Sequence, residues 1–369
     1  MGDHIPILYI QKGLAGAMRQ IGAANRVLIR IIIKRAEIHN KRGLVWLSNG
    51  NHDRAIIDFN KAIEIDPLYA CAYNMRGIAW GSKGEYDRAI ADFNKAIEIN
   101  PRDTRAHNNR GSAWYFRGEY DRAIADYNKA LEIDFRHADI YRRRGIAWYF
   151  KYNYDRAITD FNEAIEMDSQ DIRAYNMRGA AWGSKGEYDR AIADFNKIIE
   201  INPMDARNYK NRGIAWYLKG DYDRSIADFN RAIDINPRDA RNYRNRGIVW
   251  YFKGKYSCTI ADCSKALEID PRDGDAYNSR GIAWGSKGEY DRAIFDFYNA
   301  IEINPRDARA HINRGSVWYF QGVYDRAIVD YNKALEINPG YTDIYRRRGN
   351  AWYSKGDYDR AIADYNRVT

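Results

Sequence analysis

Residues 70–103, with the sequence ACAYNMRGIAWGSKGEYDRAIADFNKAIEINPRD, decide the fold of this chain. Residues at i, i+3, i+4 and i+7 spacing share one helical face at the start of this stretch: Tyr73, Arg76, Gly77 and Trp80. This spacing predicts a first helix over about residues 70–83, which Gly84 ends. The same spacing returns in a second helix over about residues 85–99, and Pro101 forbids further helix. The stretch is therefore predicted to be a helix–turn–helix unit.

The unit recurs ten times with a strict period of 34 residues. An Arg-Gly dipeptide marks each copy, and its glycines are Gly43, Gly77, Gly111, Gly145, Gly179, Gly213, Gly247, Gly281, Gly315 and Gly349. All ten tryptophans stand three residues after these glycines. Such a period is typical of an array in which each copy packs on its neighbours. The predicted units are residues 36–69, 70–103, 104–137, 138–171, 172–205, 206–239, 240–273, 274–307, 308–341 and 342–369, the last of them incomplete.

This unit resembles the tetratricopeptide repeat, and the resemblance covers residues 36–369. The shared residues are a glycine in the first helix, two small residues and an aromatic residue in the second, and a closing proline: Gly77, Ala89, Ala96, Phe93 and Pro101. The resemblance implies an all-α, right-handed superhelical solenoid of antiparallel helix–turn–helix units. It also implies that the first helices line a concave surface. Departures are local: Phe135 and Ser169 replace the proline of two units, and the seventh unit changes most.

Residues 1–35 lie outside the period and form a separate N-terminal segment. Its residues 27–36, VLIRIIIKRA, mix apolar and basic side chains. Terminal units of an array must cover an exposed apolar face, so we predict a helix that caps the first repeat. A helix lying on a membrane surface and a non-native leader are the alternatives.

Composition restricts the classes of partner and the compartment. The formal net charge of +9 at pH 7 allows acidic peptides, nucleic acid or anionic lipid as partners. The cysteines, Cys71, Cys258 and Cys263, are odd in number and follow no metal-ligand spacing, which favours a reducing compartment. No stretch approaches the roughly 20 apolar residues that span a bilayer. We therefore predict a cytoplasmic protein without a transmembrane segment.

Catalytic patterns are missing from the sequence. The six histidines are scattered, and no Ser/His/Asp order, phosphate-binding glycine loop or paired-histidine motif has supporting context. The prediction is a protein that is not an enzyme and that has no catalytic residues, cofactor or metal site. A regulatory subunit of an enzyme remains an alternative.

An arginine precedes the repeat glycine in all ten units, and an aspartate follows that arginine after 16 residues. In the second and fifth units these are Arg76 with Asp92 and Arg178 with Asp194. The arginine lies on the tryptophan face of its helix, which predicts a structural ion pair between the two helices of each unit. Gly77 and Trp80 are assigned structural roles as well. A row of ligand-facing arginines is the alternative.

The opposite face of each first helix, here called the groove face, carries the candidate binding residues. They are asparagines, basic residues and an aromatic pair: Asn74, Asn108, Asn109, Arg142, Arg143, Tyr149, Phe150, Asn176, Lys210, Asn211, Arg244, Asn245, Asn278, Asn313, Arg346 and Arg347. Aromatic residues follow the tryptophan in most units, whereas units two, five and eight have Gly-Ser there, which predicts gaps that could be pockets. Units two to four reappear about 204 residues later as units eight to ten, so pockets are expected in pairs.

These residues predict a protein-interaction scaffold that binds an extended, acidic protein segment in its groove. Amide side chains offer both a donor and an acceptor to an extended backbone. The asparagine row resembles that of O-linked N-acetylglucosamine transferases, which implies the same peptide-binding mode without the enzyme. Aromatic and basic residues together also suit single-stranded RNA, which is the alternative partner. Only Arg346 and Asn350 fit the start of the carboxylate clamp of chaperone-binding relatives.

Overall fold

A computed structural model describes residues 23–368, with side chains described from residue 32 onwards. Every regular element in this range is an α-helix, so the all-α repeat fold predicted from the period is confirmed. The helices are α1 (Ala23–Ser48), α2 (His52–Ile65), α3 (Ala70–Ser82), α4 (Tyr86–Ile99), α5 (Thr104–Phe116), α6 (Tyr120–Ile133), α7 (Ala138–Phe150), α8 (Tyr154–Met167), α9 (Ile172–Ser184), α10 (Tyr188–Ile201), α11 (Ala206–Lys219), α12 (Tyr222–Ile235), α13 (Ala240–Phe252), α14 (Tyr256–Ile269), α15 (Gly274–Ser286), α16 (Tyr290–Ile303), α17 (Ala308–Phe320), α18 (Tyr324–Ile337), α19 (Thr342–Lys355) and α20 (Tyr358–Tyr365).

The helices fall into two compact structural units, each made of several repeats, which are described separately. Lys185 ends the first unit and Gly186 begins the second. Helices α1–α9 belong to the first unit and α10–α20 to the second. Within each unit, successive helices pack against each other in chain order.

Local sequence signals place the helix ends. The aspartate after the repeat proline caps the next first helix: Asp103 Oδ1 accepts a hydrogen bond from the backbone N–H of Arg105 at 3.0 Å. At the turn inside each hairpin a glycine adopts a left-handed conformation, as Gly84 does with φ +80°. In the fourth repeat this position is Tyr152, which adopts φ +59° without being glycine.

The two helices of a hairpin approach most closely at the glycine of the Arg-Gly dipeptide. A Cβ placed on Gly77 would lie 2.6 Å from Cε1 of Phe93. Phe93 and Ala89, which belong to α4, are buried, and they pack with Ala113 of the following repeat. Each second helix therefore fills the space between its own first helix and the next one.

The end of the N-terminal segment is helical and continuous with the first repeat. Helix α1 begins at Ala23 and continues without a break through the first helix of the first repeat. Residues 1–22 lie outside the described residues, so the capping role stays a prediction. No helix in the described part of the chain is long and apolar enough to cross a membrane.

Candidate functional site

The repeat arginines lie between helices and not on the groove face. Arg76 donates from Nε to Asp92 Oδ2 at 2.8 Å and from Nη2 to Oδ1 at 2.6 Å. Its Nη1 donates to Asn60 Oδ1 of the preceding repeat at 2.7 Å. Its guanidinium also lies 5.5 Å from the centre of the Tyr73 ring. The same three hydrogen bonds hold Arg110, Arg144, Arg212, Arg246 and Arg348.

In the fifth repeat, the described contacts of the arginine are those with the preceding repeat and with the tyrosine of its own helix. Arg178 Nη1 donates to Asn162 Oδ1 at 2.7 Å, and its guanidinium lies 5.3 Å from the Tyr175 ring centre. Asp194 belongs to the second of the two compact structural units, and its pairing with Arg178 stays a prediction. Trp80 has a cationic neighbour on each side, with Arg88 at 4.7 Å and Lys83 at 5.6 Å from its ring centre.

Four of the groove asparagines form two hydrogen-bonded pairs, each with one buried member. Asn74 is 1% exposed, and its Oδ1 accepts from Asn109 Nδ2 at 3.0 Å. Asn278 is also buried, and its Oδ1 accepts from Asn313 Nδ2 at 2.9 Å. The buried partner orients the half-buried one, so Asn109 and Asn313 are the members that reach the groove. The remaining asparagines are half-buried: Asn108, Asn176, Asn211 and Asn245.

Most groove arginines are neutralised by carboxylates of the chain itself. Arg142 forms ion pairs with Asp139 and with Asp171, the latter at 3.0 Å. Arg244 pairs with the buried Asp273 at 2.7 Å, and a separate pair joins Arg346 to Asp343. Burial, and then the nearby Arg241, lower the pKa of Lys210. These ion pairs hold the Arg142 side chain in place and make the groove less basic than its sequence indicates.

Aromatic pairs close the groove between successive repeats. The ring of Phe150 lies 5.8 Å from Tyr115 of the preceding repeat and 5.8 Å from Tyr120. Tyr149 stands edge-on to Phe150 at 5.6 Å. Where Gly-Ser replaces the Tyr-Phe pair, the tyrosine that would fill this space is missing.

The second repeat contains the first of these gaps, here called the first pocket. It has a cavity volume of about 390 Å³. Its apolar wall is formed by Gly77, Ile78, Gly81, Tyr86, Phe93, Ala113 and Phe116. Phe116 stacks on Tyr86 at 5.6 Å with an angle of 9° between the rings, which gives the cavity a flat aromatic side.

A hydrogen-bond network from two later repeats forms the polar rim of the first pocket. Arg143 Nη1 donates to Ser112 Oγ at 2.8 Å, and Arg143 Nε donates to Asp139 at 2.6 Å. Ser112 Oγ donates to the Asn108 carbonyl at 3.0 Å, so it accepts from Tyr127 Oη, which lies 3.2 Å away. Burial raises the pKa of Tyr127 to about 12, so the phenol stays a donor at neutral pH.

The eighth repeat contains an equivalent second pocket of about 410 Å³. Except for Tyr251, which is an additional wall residue, its lining residues stand 204 positions after those of the first, including Gly285, Phe297, Asn313, Ser316, Phe320 and Arg347. Arg347 Nη1 donates to Ser316 Oγ at 3.1 Å, Arg347 Nε donates to Asp343 at 2.6 Å, and Tyr331 Oη donates to Ser316 at 3.3 Å. The network is therefore duplicated with the repeats.

In both pockets the guanidinium keeps a free donor. Among the residues that the structure describes, Nη2 of Arg143 and Nη2 of Arg347 have no hydrogen-bond acceptor. The two side chains are 39% and 42% exposed. A carboxylate that enters either pocket would meet an oriented N–H group on an arginine.

Sequence reasoning missed Ser112, Ser316, Tyr127 and Tyr331 as parts of the site. A sequence signal for these residues exists: in repeats three and nine, Ser replaces the usual Ile after the repeat glycine. In the same repeats, the aromatic residue of the second helix is Tyr instead of Phe. The two changes accompany each other because the two hydroxyl groups bond.

Comparisons with known proteins agree with this architecture. The family model of the tetratricopeptide repeat matches residues 36–69, 70–103, 104–137, 172–205, 206–239, 274–307 and 308–341. These matches cover more than half of the chain, and the chain belongs to the tetratricopeptide repeat family. The fold of this family generally supports protein–protein interaction, and its members are generally non-catalytic scaffolds.

Several solved structures resemble this chain at low sequence identity. One is a tetratricopeptide repeat protein from Parabacteroides merdae, with 20% identity, TM-score 0.53, and coverage of 68% of this chain and 99% of that one. Another is the C-terminal part of a repeat protein from Cytophaga hutchinsonii, with 22% identity, TM-score 0.54, and coverage of 65% and 98%. Yeast Tom70 has 14% identity, TM-score 0.51, and coverage of 91% of each chain. These likenesses concern the fold alone. A comparison with curated protein sequences finds no significant match.

The described residues offer no arrangement for metal chemistry. Among the side chains of residues 32–368, no group of three or more His, Cys, Asp or Glu residues is placed to hold a metal ion. The arrangement that the structure does contain is suited to recognition: an apolar cavity, an oriented amide and an arginine donor.

Proposed function

We propose that this protein is an interaction scaffold that binds an extended, acidic segment of a partner protein along its groove face. The observation that carries the proposal is the pair of equivalent pockets in repeats two and eight. Each combines an apolar cavity with an amide and an arginine, which are the groups that recognise a peptide. The two copies would bind two equivalent segments.

Each pocket offers a separate contact for the three parts of such a peptide. An apolar side chain enters between Ile78, Phe93 and Phe116, where the missing tyrosine leaves space. Asn109 holds one N–H on Asn74, so its Oδ1 and second N–H are available to a peptide backbone. A carboxylate of the peptide accepts from Arg143 Nη2. In the second pocket, Asp343 pairs with both Arg346 and Arg347, so this small cluster keeps a net positive charge, whereas in the first pocket Asp171 is a second acidic partner of Arg142.

The test fills the pockets with a residue that the chain itself uses. Gly81→Tyr and Gly285→Tyr introduce the side chain found at the same position in Tyr115 and Tyr149. Affinity capture with the wild-type protein and mass spectrometry identify the bound segments. We expect each single variant to weaken their binding about tenfold, roughly 1.4 kcal/mol, and the double variant to abolish it.

Ser82→Ala with Ser286→Ala is the matched control, because it leaves both cavities open. All variants are checked for helical content and melting temperature. Unchanged capture by the double glycine variant would show that the pockets are not the site. Tight binding of single-stranded RNA with a steep salt dependence would favour the nucleic-acid alternative instead.

A further inference from the structure

A second apolar surface lies on the second helices of repeats eight and nine, away from the groove pockets. We call Phe295, Tyr298 and Val329 the second-helix patch. Their side chains are 65%, 62% and 66% exposed. Phe295 and Tyr298 stand three residues apart on α16, so they share one face of that helix. Large exposed apolar side chains grouped in this way mark interaction sites.

The patch departs from the chain's own repeat pattern. The residues 204 positions earlier, in the otherwise similar repeats two and three, are Ala91, Asn94 and Ala125. Asn94 accepts a hydrogen bond from Arg110 Nη1 at 2.7 Å. Tyr298 stands in the place of this asparagine, and its ring stacks under the guanidinium of Arg314 at 5.2 Å. In the part of the chain that the structure describes, Arg314 Nη1 has no acceptor.

A cavity of about 470 Å³ lies between Tyr298, Arg314 and Val329. Tyr298, Trp318 and Val329 form its apolar part, and its charged part consists of Arg314, Asp325, Arg326 and Asp330. The corresponding place in repeats two and three has the same tryptophan, arginines and aspartates: Trp114, Arg110, Arg122, Asp121 and Asp126. Tyr298 and Val329 are therefore the lining residues that distinguish this cavity.

The charges around the cavity favour an acidic partner. Arg314 holds Asp330 with two hydrogen bonds, at 2.9 Å and 2.7 Å, and Lys355 donates to Asp325. Both carboxylates are thus already paired. Arg326 stacks over Trp318 at 4.7 Å and has no carboxylate partner among the described residues.

A further substitution lies next to Arg326. Val323 stands where repeat three has Glu119 and repeat two has Glu85, and Glu85 lies 4.0 Å from Arg88. The ninth repeat therefore has one acidic residue fewer beside its exposed arginine. The cavity presents arginine donors without the matching acceptors.

We propose that the second-helix patch is a docking site for a partner segment with an apolar residue next to a carboxylate. The apolar side chain inserts between Tyr298, Trp318 and Val329. The carboxylate accepts from Arg314 Nη1 and pairs with Arg326. This site is independent of the groove pockets and of the function proposed for them.

The experiment selects a displayed library of random twelve-residue peptides on the wild-type protein and removes those that also bind a reverted variant. The reversion, Tyr298→Asn with Val329→Ala, restores the residues found at the equivalent positions of repeats two and three, Asn94 and Ala125. Because it also restores an acceptor for Arg314, we expect its melting temperature to be unchanged or higher. The peptides retained by the wild-type protein alone should contain an apolar residue adjacent to Asp or Glu.

The reciprocal variant makes the test independent of how well the reversion folds. Asn94→Tyr with Ala125→Val rebuilds the cavity in repeats two and three. Fluorescence anisotropy with one selected peptide should show one site in the wild-type protein, at least tenfold weaker binding to the reversion, and two sites in the reciprocal variant. Gly81→Tyr with Gly285→Tyr, which fills the groove pockets, should leave this binding unchanged.

Three results would overturn the proposal. The first is equal recovery of all peptides by the wild-type and reverted proteins. The second is a selected set without acidic residues. The third is a concentration-dependent dimer of the wild-type protein that the reversion makes monomeric in sedimentation, because the patch would then bind a second copy of this chain.

Discussion

Arg76 donates a hydrogen bond from Nη1 to Asn60 Oδ1 at 2.7 Å, and this bond joins two successive repeats. The other edge of the same guanidinium holds Asp92 within its own hairpin. One side chain therefore fixes both the packing inside a repeat and the position of the repeat before it. The planar, five-donor geometry of arginine is required for this double role.

The pair of Arg76 and Asp92 should show strong energetic coupling. Either residue changed alone to Ala leaves its partner unpaired in a mostly buried place, which costs about 3 kcal/mol. The double variant should cost less than the sum of the single changes, measured by urea unfolding. Asn60→Ala, which removes a single neutral acceptor, should cost about 1 kcal/mol. Additive effects of the two single changes would contradict the structural role.

Gly77→Ala should destabilise the protein more than Gly213→Ala. A Cβ on Gly77 would lie 2.6 Å from the buried Phe93 ring, whereas a Cβ on Gly213 would lie 3.3 Å from Phe229. Forcing the ring away should cost about 1–3 kcal/mol. At Gly213 the higher helix propensity of alanine offsets a smaller conflict. Thermal melting of the two variants measures the difference, and equal melting temperatures would argue against a close approach at Gly77.

The three thiols should react at different rates with a disulfide reagent at pH 8. Cys258 is exposed, Cys71 is half-buried and Cys263 is fully buried. Burial raises the pKa of Cys263 to about 12, so the thiolate that reacts is scarce in the folded protein. Cys258 should therefore react first and Cys263 only after unfolding in urea. A fast reaction of all three thiols in the native protein would exclude the described packing of α14.

Stability should depend on the ionisation of Asp343 in the rim of the second pocket. Hydrogen bonds from Arg347 and then Arg346 lower the pKa of this carboxyl below its ordinary value. A carboxyl with a lowered folded pKa stabilises the protein above its unfolded pKa of about 3.9, and this contribution disappears as the pH falls through the folded pKa. The difference in urea midpoint between the wild-type protein and Asp343→Asn should be constant at neutral pH and vanish in acid. A difference that does not change down to about pH 2.5 would contradict this.

The fold could be predicted because each hairpin carries its own signals. The i, i+3, i+4, i+7 face around Gly77 and Trp80, the turn glycine and the proline are all local, so one unit of 34 residues contains them. The spacing of Arg76 and Asp92 was sufficient to place their contact for the same reason. The role of Asn60 was not visible, because an asparagine on a second helix is indistinguishable from a solvated residue until the preceding repeat is in place.

The groove residues show the limit of this reasoning most clearly. Asn74 and Arg142 stand on the predicted face, yet Asn74 is buried, and Asp139 and Asp171 of its own repeat pair with Arg142. The gap at Gly81 was predicted, but the arginine at its rim, Arg143, comes from two repeats later. The contact of Asn74 with Asn109 and the position of Arg143 at the first pocket depend on the rise and rotation between repeats, which no local pattern specifies.

The 204-residue repetition has a genetic consequence. The stretches around Gly81 and Gly285 are nearly identical, and the distance between them is six full periods. Recombination between the two coding segments would therefore remove six whole repeats in frame, and the junction would join two helices that already have the same partners. The number of pockets would then follow the copy number of such segments, and a pocket could be gained or lost without a single new amino acid.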